Sequence, residues 1–113
     1  MSDCLFCRIM AGEIPSAKVY EDEWCYAFRD INPQAPVHVL VISKAHVGNL
    51  TEAASLTDGA LAAILRAIPR IAAQEKLERG YRVVTNCGPD ACQSVQHLHF
   101  HLLGGRQMAD QMA

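Results

Sequence analysis

The spacing of apolar and polar positions along this 113-residue chain predicts two helices and five strands. Cys4 to Ala11 reads as a short helix, with Asp3 as its cap and Gly12 as its stop. Beyond Ile14-Pro15, the runs Lys18-Val19-Tyr20-Glu21 and Cys25-Tyr26-Ala27-Phe28-Arg29 predict a hairpin around Asp22-Glu23-Trp24. Asp30 to Pro36 is a loop, because two prolines remove ladder donors. Val37 to Ser43 is apolar at successive central positions and predicts a strand buried on both faces. From a cap at Thr57 to about Leu77, the residues Leu61, Ile64, Leu65, Ile68, Ile71 and Ala72 recur at helical spacing. Pro69 inside that stripe predicts a kink or one lost backbone bond, and Gly80 a stop. Tyr81 to Asn86 is expected as a strand, Cys87 to Gln93 as a loop and His97 to Leu103 as the last strand. Five strands joined mostly by short turns, with one long helix and a short N-terminal one, make an α+β domain with an antiparallel sheet, a single domain over 1–113.

The last strand carries the chemistry. His97, His99 and His101 alternate with Leu98, Phe100 and Leu102. A side-chain period of two places the imidazoles on one face, about 7 Å apart, with the apolar residues in the core. Three readings of that pattern stand side by side. A neutral imidazole, with an ordinary pKa near 6.5, is a nucleophile toward phosphorus and forms a labile P–N bond that water can break. Alternating histidines can also hold a catalytic metal. The plainest alternative is the polar face of an edge strand.

Charge and composition narrow the classes. The net charge is −2 with scattered basic residues, which argues against a nucleic-acid groove. No apolar run reaches the roughly 20 residues of a membrane span. The start, Met1-Ser2-Asp3-Cys4, has no basic stretch followed by an apolar block, so no secretory signal is expected. Five cysteines, at 4, 7, 25, 87 and 92, cannot all pair and suit a reducing compartment. A soluble cytoplasmic domain is the expectation.

His97-Leu98-His99-Phe100-His101-Leu102-Leu103 resembles the histidine triad motif, and the chain is identified as similar to the histidine triad superfamily. Phe6 through Ile14-Pro15, Phe28 through His38, Gly88 through Gln93-Ser94-Val95, and Gly104-Gly105-Arg106-Gln107-Met108 resemble its branch of small nucleotide-binding proteins that hydrolyse nucleoside phosphoramidates. The resemblance implies His99 as the nucleophile at the α-phosphorus, with a nucleotidyl-histidine intermediate. It implies His101 as a donor to a phosphate oxygen, Ser94 as a contact of the phosphate or departing amine, and His38 as a histidine orienting the triad. It further implies Asp30 as the ribose carboxylate with Ile31 beside it, Phe6, Ile9, Ile14 and Phe28 around a purine base, and Asn86 on the phosphate side. Gln93 is expected to contact the nucleotide or support its loop, whose backbone amides could add donors. Taken on their residues alone, Asp30 reads equally as a turn carboxylate, Ser94 as a loop-ordering hydroxyl, and His38 and the apolar four as ordinary core. Cys92 stands where relatives commonly have glycine.

The rivals to a phosphoramidase are a dinucleoside polyphosphate hydrolase, typical of another branch, and a nucleotide-binding protein with little catalysis. Cys4-x-x-Cys7 can face one metal from a helix start, and His46 with His97 would complete a closed, tetrahedral zinc site. Some bacterial relatives hold zinc this way. Two reduced thiols packed as small hydrophobes is the competing reading. No cofactor is expected for the chemical step. The resemblance also implies a homodimer, with the long helices crossing a two-fold axis. The tail Gln107 to Ala113 lacks the aromatic residue often found there in relatives.

Overall fold

The computed structural model describes residues 3–113. Five strands, β1 (Lys18–Glu21), β2 (Cys25–Arg29), β3 (Val37–Ser43), β4 (Tyr81–Val84) and β5 (His99–Gly104), form one antiparallel sheet in the order β1-β2-β3-β5-β4. Helix α1 (Leu5–Met10) covers one face and helix α2 (Asp58–Gln74) the other. Register sorts the side chains. Cys25, Ala27, Val39, Val41 and Leu102 pack on Ile64, Ala67, Ile68 and Ile71 of α2. Tyr26, Phe28, Leu40 and Ile42 pack on Phe6 and Ile9 of α1. Because Ile42 pairs with His99 and Leu40 with His101, both histidines share the α1 face. Strand β3 is buried on both sides, as its unbroken apolar run predicts. Among the described residues no helix is long and apolar enough to cross a membrane.

Several element ends differ from the sequence expectation. Asp3 does not cap α1; Cys4 does, its Sγ accepting the Cys7 N–H at 3.4 Å. Thr57 caps α2 as expected, its hydroxyl accepting the Ala60 N–H. That helix stops at Gln74 rather than near Leu77 and runs on through Pro69. The Lys76 N–H bonds the Ala73 carbonyl and the Leu77 N–H the Ala72 carbonyl, with Lys76 at φ 60. This is a Schellman stop with lysine where glycine is the usual signal. Leu65 is 57% exposed and does not belong to the buried stripe, while Leu61 is half-buried. Strand β4 is shorter than Tyr81 to Asn86, and β5 begins at His99, not His97.

Candidate active site and metal-ligand cluster

The start of β5 explains why the three histidines separate into two groups. The His97 N–H bonds the Val95 carbonyl, so the chain bends there. The Leu98 carbonyl then accepts from the N–H of Ser43, the last residue of β3, and its N–H donates to the Val47 carbonyl in the segment beyond. Regular pairing starts at His99, and only His99 and His101 obey the strand alternation. His97 is turned, fully buried, toward α1.

His99 is 4% exposed, with the edge of Phe6 packed on its ring at 5.0 Å. Its Nδ1 lies 2.6 Å from the His97 carbonyl oxygen. A carbonyl only accepts, so Nδ1 carries the proton and donates, leaving the Nε2 lone pair available. The same logic orients its neighbours. The Gln34 backbone N–H donates to His38 Nδ1 at 3.0 Å, which puts the His38 proton on Nε2. That Nε2 lies 2.9 Å from His101 Nδ1 and 3.4 Å from Asp30 Oδ2. His101 Nδ1 therefore accepts, and the His101 proton sits on its outer Nε2 as a donor. The site thus presents one lone pair, on His99, and one N–H, on His101, from rings 5.2 Å apart.

In both partners, buried His38 and half-buried His101, the charged form is disfavoured. Burial pushes His101 down to about 4, helped by neighbouring His99 and His38 and opposed by Asp30. Burial also lowers His38, again against Asp30. Below pH 6.5 the unfolded chain binds a proton at residue 101 that the folded chain refuses until about pH 4. Stability from this group is therefore full above the unfolded pKa and falls as pH drops through that window. In His101→Gln, the slope of unfolding free energy against pH between 6.5 and 4 is expected to flatten by up to about 1.4 kcal/mol per pH unit, one proton's worth. Urea melts at half-unit pH steps measure it, and parallel slopes in both proteins would refute it.

Asp30, His38 and His101 also lie close enough to hold a cation, their ligand atoms within 4.8 Å. The Gln34 N–H argues against that use. A neutral His38 that accepts at Nδ1 carries its proton on Nε2 and has no lone pair there for a metal. The second cluster behaves oppositely. His97 Nε2 donates to the Ser43 carbonyl at 2.7 Å, which frees Nδ1. That Nδ1 lies 3.2 Å from Cys4 Sγ, 3.6 Å from Cys7 Sγ and 3.1 Å from His46 Nδ1, and Cys7 Sγ is 3.3 Å from His46 Nδ1. The edges of a tetrahedral zinc site with ordinary bond lengths are about 3.6 Å for S–N and about 3.3 Å for N–N. Cys4, Cys7, His46 and His97 therefore fit a closed Cys₂His₂ centre, with Ser43 fixing the ligating tautomer.

The remaining expected contacts fall as follows. Phe6, Ile9 and Phe28 are buried together with Ile14 packed against them, beside His99. Asp30 Oδ1 accepts the Asn32 N–H at 2.8 Å, so it is a turn carboxylate whatever else it binds. Ile31 is 90% exposed and Asn86 half-buried. Gln93 uses its whole side chain internally: Oε1 accepts from Gly88 N–H, and Nε2 donates to the Gly48 and Val95 carbonyls. These bonds tie the 88–95 loop together and to Gly48. The loop amides expected as free donors are largely committed, since Gly88, Ala91, Cys92 and Gln93 N–H groups all bond within the loop. Ser94 follows them, exposed. Cys92 sits at φ 58, a left-handed conformation glycine would adopt without strain. Cys25 is buried and its thiol pushed up to about 12, which leaves it inert. Sequence reasoning missed Gln34, which acts through its backbone, and Ser43, which acts through its carbonyl; no side-chain pattern reports either.

The HIT domain family model matches residues 11–108. A "14 kDa zinc-binding protein" of Zea mays is 53% identical over 95% of this chain and 85% of its own length. The "Adenylylsulfatase HINT1" of Arabidopsis thaliana is 47% identical over 95% of this chain and 74% of its own. A solved structure of a HIT family hydrolase from Clostridium thermocellum superimposes with a TM-score of 0.94 at 45% identity, covering 100% of this chain and 99% of that one.

Proposed function

The chain belongs to the HIT domain family, and from that premise we propose that it is a purine nucleoside phosphoramidase working through a nucleotidyl-histidine. The observation that carries this reading is the His99 tautomer, set by the 2.6 Å bond to the His97 carbonyl. The Nε2 lone pair attacks the α-phosphorus as the P–N bond to the amine breaks. His101 Nε2–H stabilises the phosphate oxygen where charge grows, and the amine leaves with a proton supplied from that donor or from the Ser94 hydroxyl. Water then cleaves the phosphorus–His99 bond and releases the nucleoside monophosphate. Asp30 keeps lone pairs for the ribose hydroxyls beyond its bond to Asn32. Phe6, Ile9, Ile14 and Phe28 wall the base, with exposed Ile31 and half-buried Asn86 at its margins.

One finding favours a second leaving group. The Arabidopsis relative is named for action on an adenylyl sulfate, and the same attack by His99 would expel sulfate. Purified protein assayed with adenosine phosphoramidate, adenylyl sulfate and a diadenosine polyphosphate separates the cases. The phosphoramidate is expected to turn over fastest, and AMP release from none of the three would overturn the enzymatic reading.

In this reading Cys4, Cys7, His46 and His97 hold one structural zinc, supported by the fit of their spacing and by the zinc-binding name of the maize relative. Bound there, zinc would cross-link α1 to the chain before β5 and take no part in the reaction. The protein acts as a cytoplasmic homodimer without nucleic acid or membrane. Exposed Leu65 on α2, with Tyr81 and Val83 on edge strand β4, supports the dimer, because these apolar side chains lack cover in one chain. Light scattering at micromolar concentration is expected to report the mass of two chains; a one-chain mass would refute it.

A further inference from the structure

The run Gly104-Gly105-Arg106 after the histidines is as distinctive as the triad, yet none of the three residues touches the reacting groups. We propose that it is a clamp on the 30–36 loop, and that Arg106 is a positioning residue which holds the Gln34 peptide in place and so sets which nitrogen of His101 bears the proton. The inference rests on reading His101 as the donor to phosphate.

Each residue of the run meets the structure at a different point. A Cβ on Gly104 would stand 2.8 Å from the Leu77 methyl groups, which would have to turn aside to admit it. Gly105 is left-handed at φ 96, and a Cβ there would stand 2.9 Å from Pro36 Cβ. Arg106 then reaches back, its Nη2 donating to the Gln34 carbonyl at 3.2 Å and its Nη1 to the Gln107 carbonyl at 3.2 Å. The loop so gripped is otherwise anchored at Asp30, whose N–H bonds the His38 carbonyl, and at buried Ala35. Residues 31–34 are exposed, and the Gln34 side chain bonds only the Asn32 carbonyl, within the loop itself.

That loop determines a polarity. Gln34 N–H donates to His38 Nδ1, His38 Nε2–H donates to His101 Nδ1, and His101 Nε2–H faces outward. If the Gln34 peptide swings away, the His38 proton is held on Nε2 only by the longer contact to Asp30 Oδ2 at 3.4 Å, and part of the population moves it to Nδ1. His38 Nε2 would then accept, His101 Nδ1 would donate, and the outer His101 nitrogen would lose its proton. The donor becomes an acceptor facing a phosphate oxygen, with no heavy atom of the triad displaced. A hydrogen bond made mainly in the transition state affects kcat more than KM.

The test uses R106Q and, as an independent lesion of the same clamp, Gly105→Ala. Arg106 is exposed, so its replacement leaves the core intact. Long-range 1H–15N correlation spectra assign the His101 tautomer in each protein. Wild type is expected to show Nε2–H alone, and both variants a new Nδ1–H population. The kcat for adenosine phosphoramidate should fall about tenfold with KM changed by less than about threefold. A His101 that stays Nε2–H in both variants overturns the proposal whatever the activity, and so does a wild-type kcat in both. Should the wild-type protein not cleave the substrate, the functional reading fails, and the tautomer comparison still decides the clamp.

Discussion

His99→Ala is expected to abolish release of AMP from adenosine phosphoramidate while leaving AMP affinity within about tenfold, or 1.4 kcal/mol. The asymmetry follows from where the ring sits. His99 is almost fully buried, and its Nδ1 is spent on the His97 carbonyl, so only Nε2 faces a ligand. In the proposed mechanism that nitrogen forms a bond during the reaction but supplies little to ground-state binding, which Asp30, the apolar wall and His101 would carry. Removing it eliminates a covalent route instead of weakening one contact. The cavity left beside Phe6 adds a fold cost, and thermal melts establish that the variant is folded before its rate is judged. Isothermal titration with AMP and a discontinuous AMP assay give the two halves. Substantial activity in a folded His99→Ala protein would remove the nucleotidyl-histidine mechanism altogether.

Loss of zinc is expected to act on stability and to spare the chemical step. Protein purified without added metal should contain about one zinc per chain, and a content under roughly 0.2 would count against a native site. Cys4→Ser, or a strong chelator, should lower the melting midpoint by about 10 °C or more. A ligand held at 1,000 times its dissociation constant contributes about 4 kcal/mol, and each kcal/mol moves a domain of this size by roughly 4–8 °C. His99, the proposed nucleophile, would keep its orientation because the His97 carbonyl is positioned by bonds that need no metal. His97 Nε2 remains tied to Ser43, and Leu98 N–H to Val47 at 2.8 Å. At saturating substrate, kcat measured below the lowered midpoint should change by less than about threefold. A still-folded, zinc-free protein with no catalysis would make the metal catalytic and reverse this division of roles.

Much of this architecture is legible in the chain, for identifiable reasons. The strands of the sheet follow from local apolar patterning, and β3 reads as doubly buried because its apolar run does not alternate. The α2 start is legible because Thr57 is a side-chain cap, whereas its end is not, because Lys76 does at φ 60 what glycine usually does. Cys4, Cys7, His46 and His97 can be grouped from metal-ligand chemistry before any fold is known, and folding brings those four together. Leu65 has the helical spacing of the core stripe, but spacing alone cannot say which edge of a stripe a sheet will cover.

What the sequence determined by itself is the inventory: an antiparallel sheet with one long helix, histidines in alternation, and a cysteine pair with two histidines to complete it. Tertiary structure decided how the histidines divide. Alternation treats His97, His99 and His101 as equivalent, yet a bend bonded to Val95 and Val47 turns His97 toward the cysteines. Proton placement was likewise beyond the sequence. It depends on a carbonyl of residue 97, a carbonyl of residue 43 and an N–H of residue 34. Every residue but proline carries those same two backbone groups, so only the folded chain, by bringing one particular group within 3 Å of one particular ring nitrogen, decides which nitrogen of each histidine holds a proton and which keeps a lone pair.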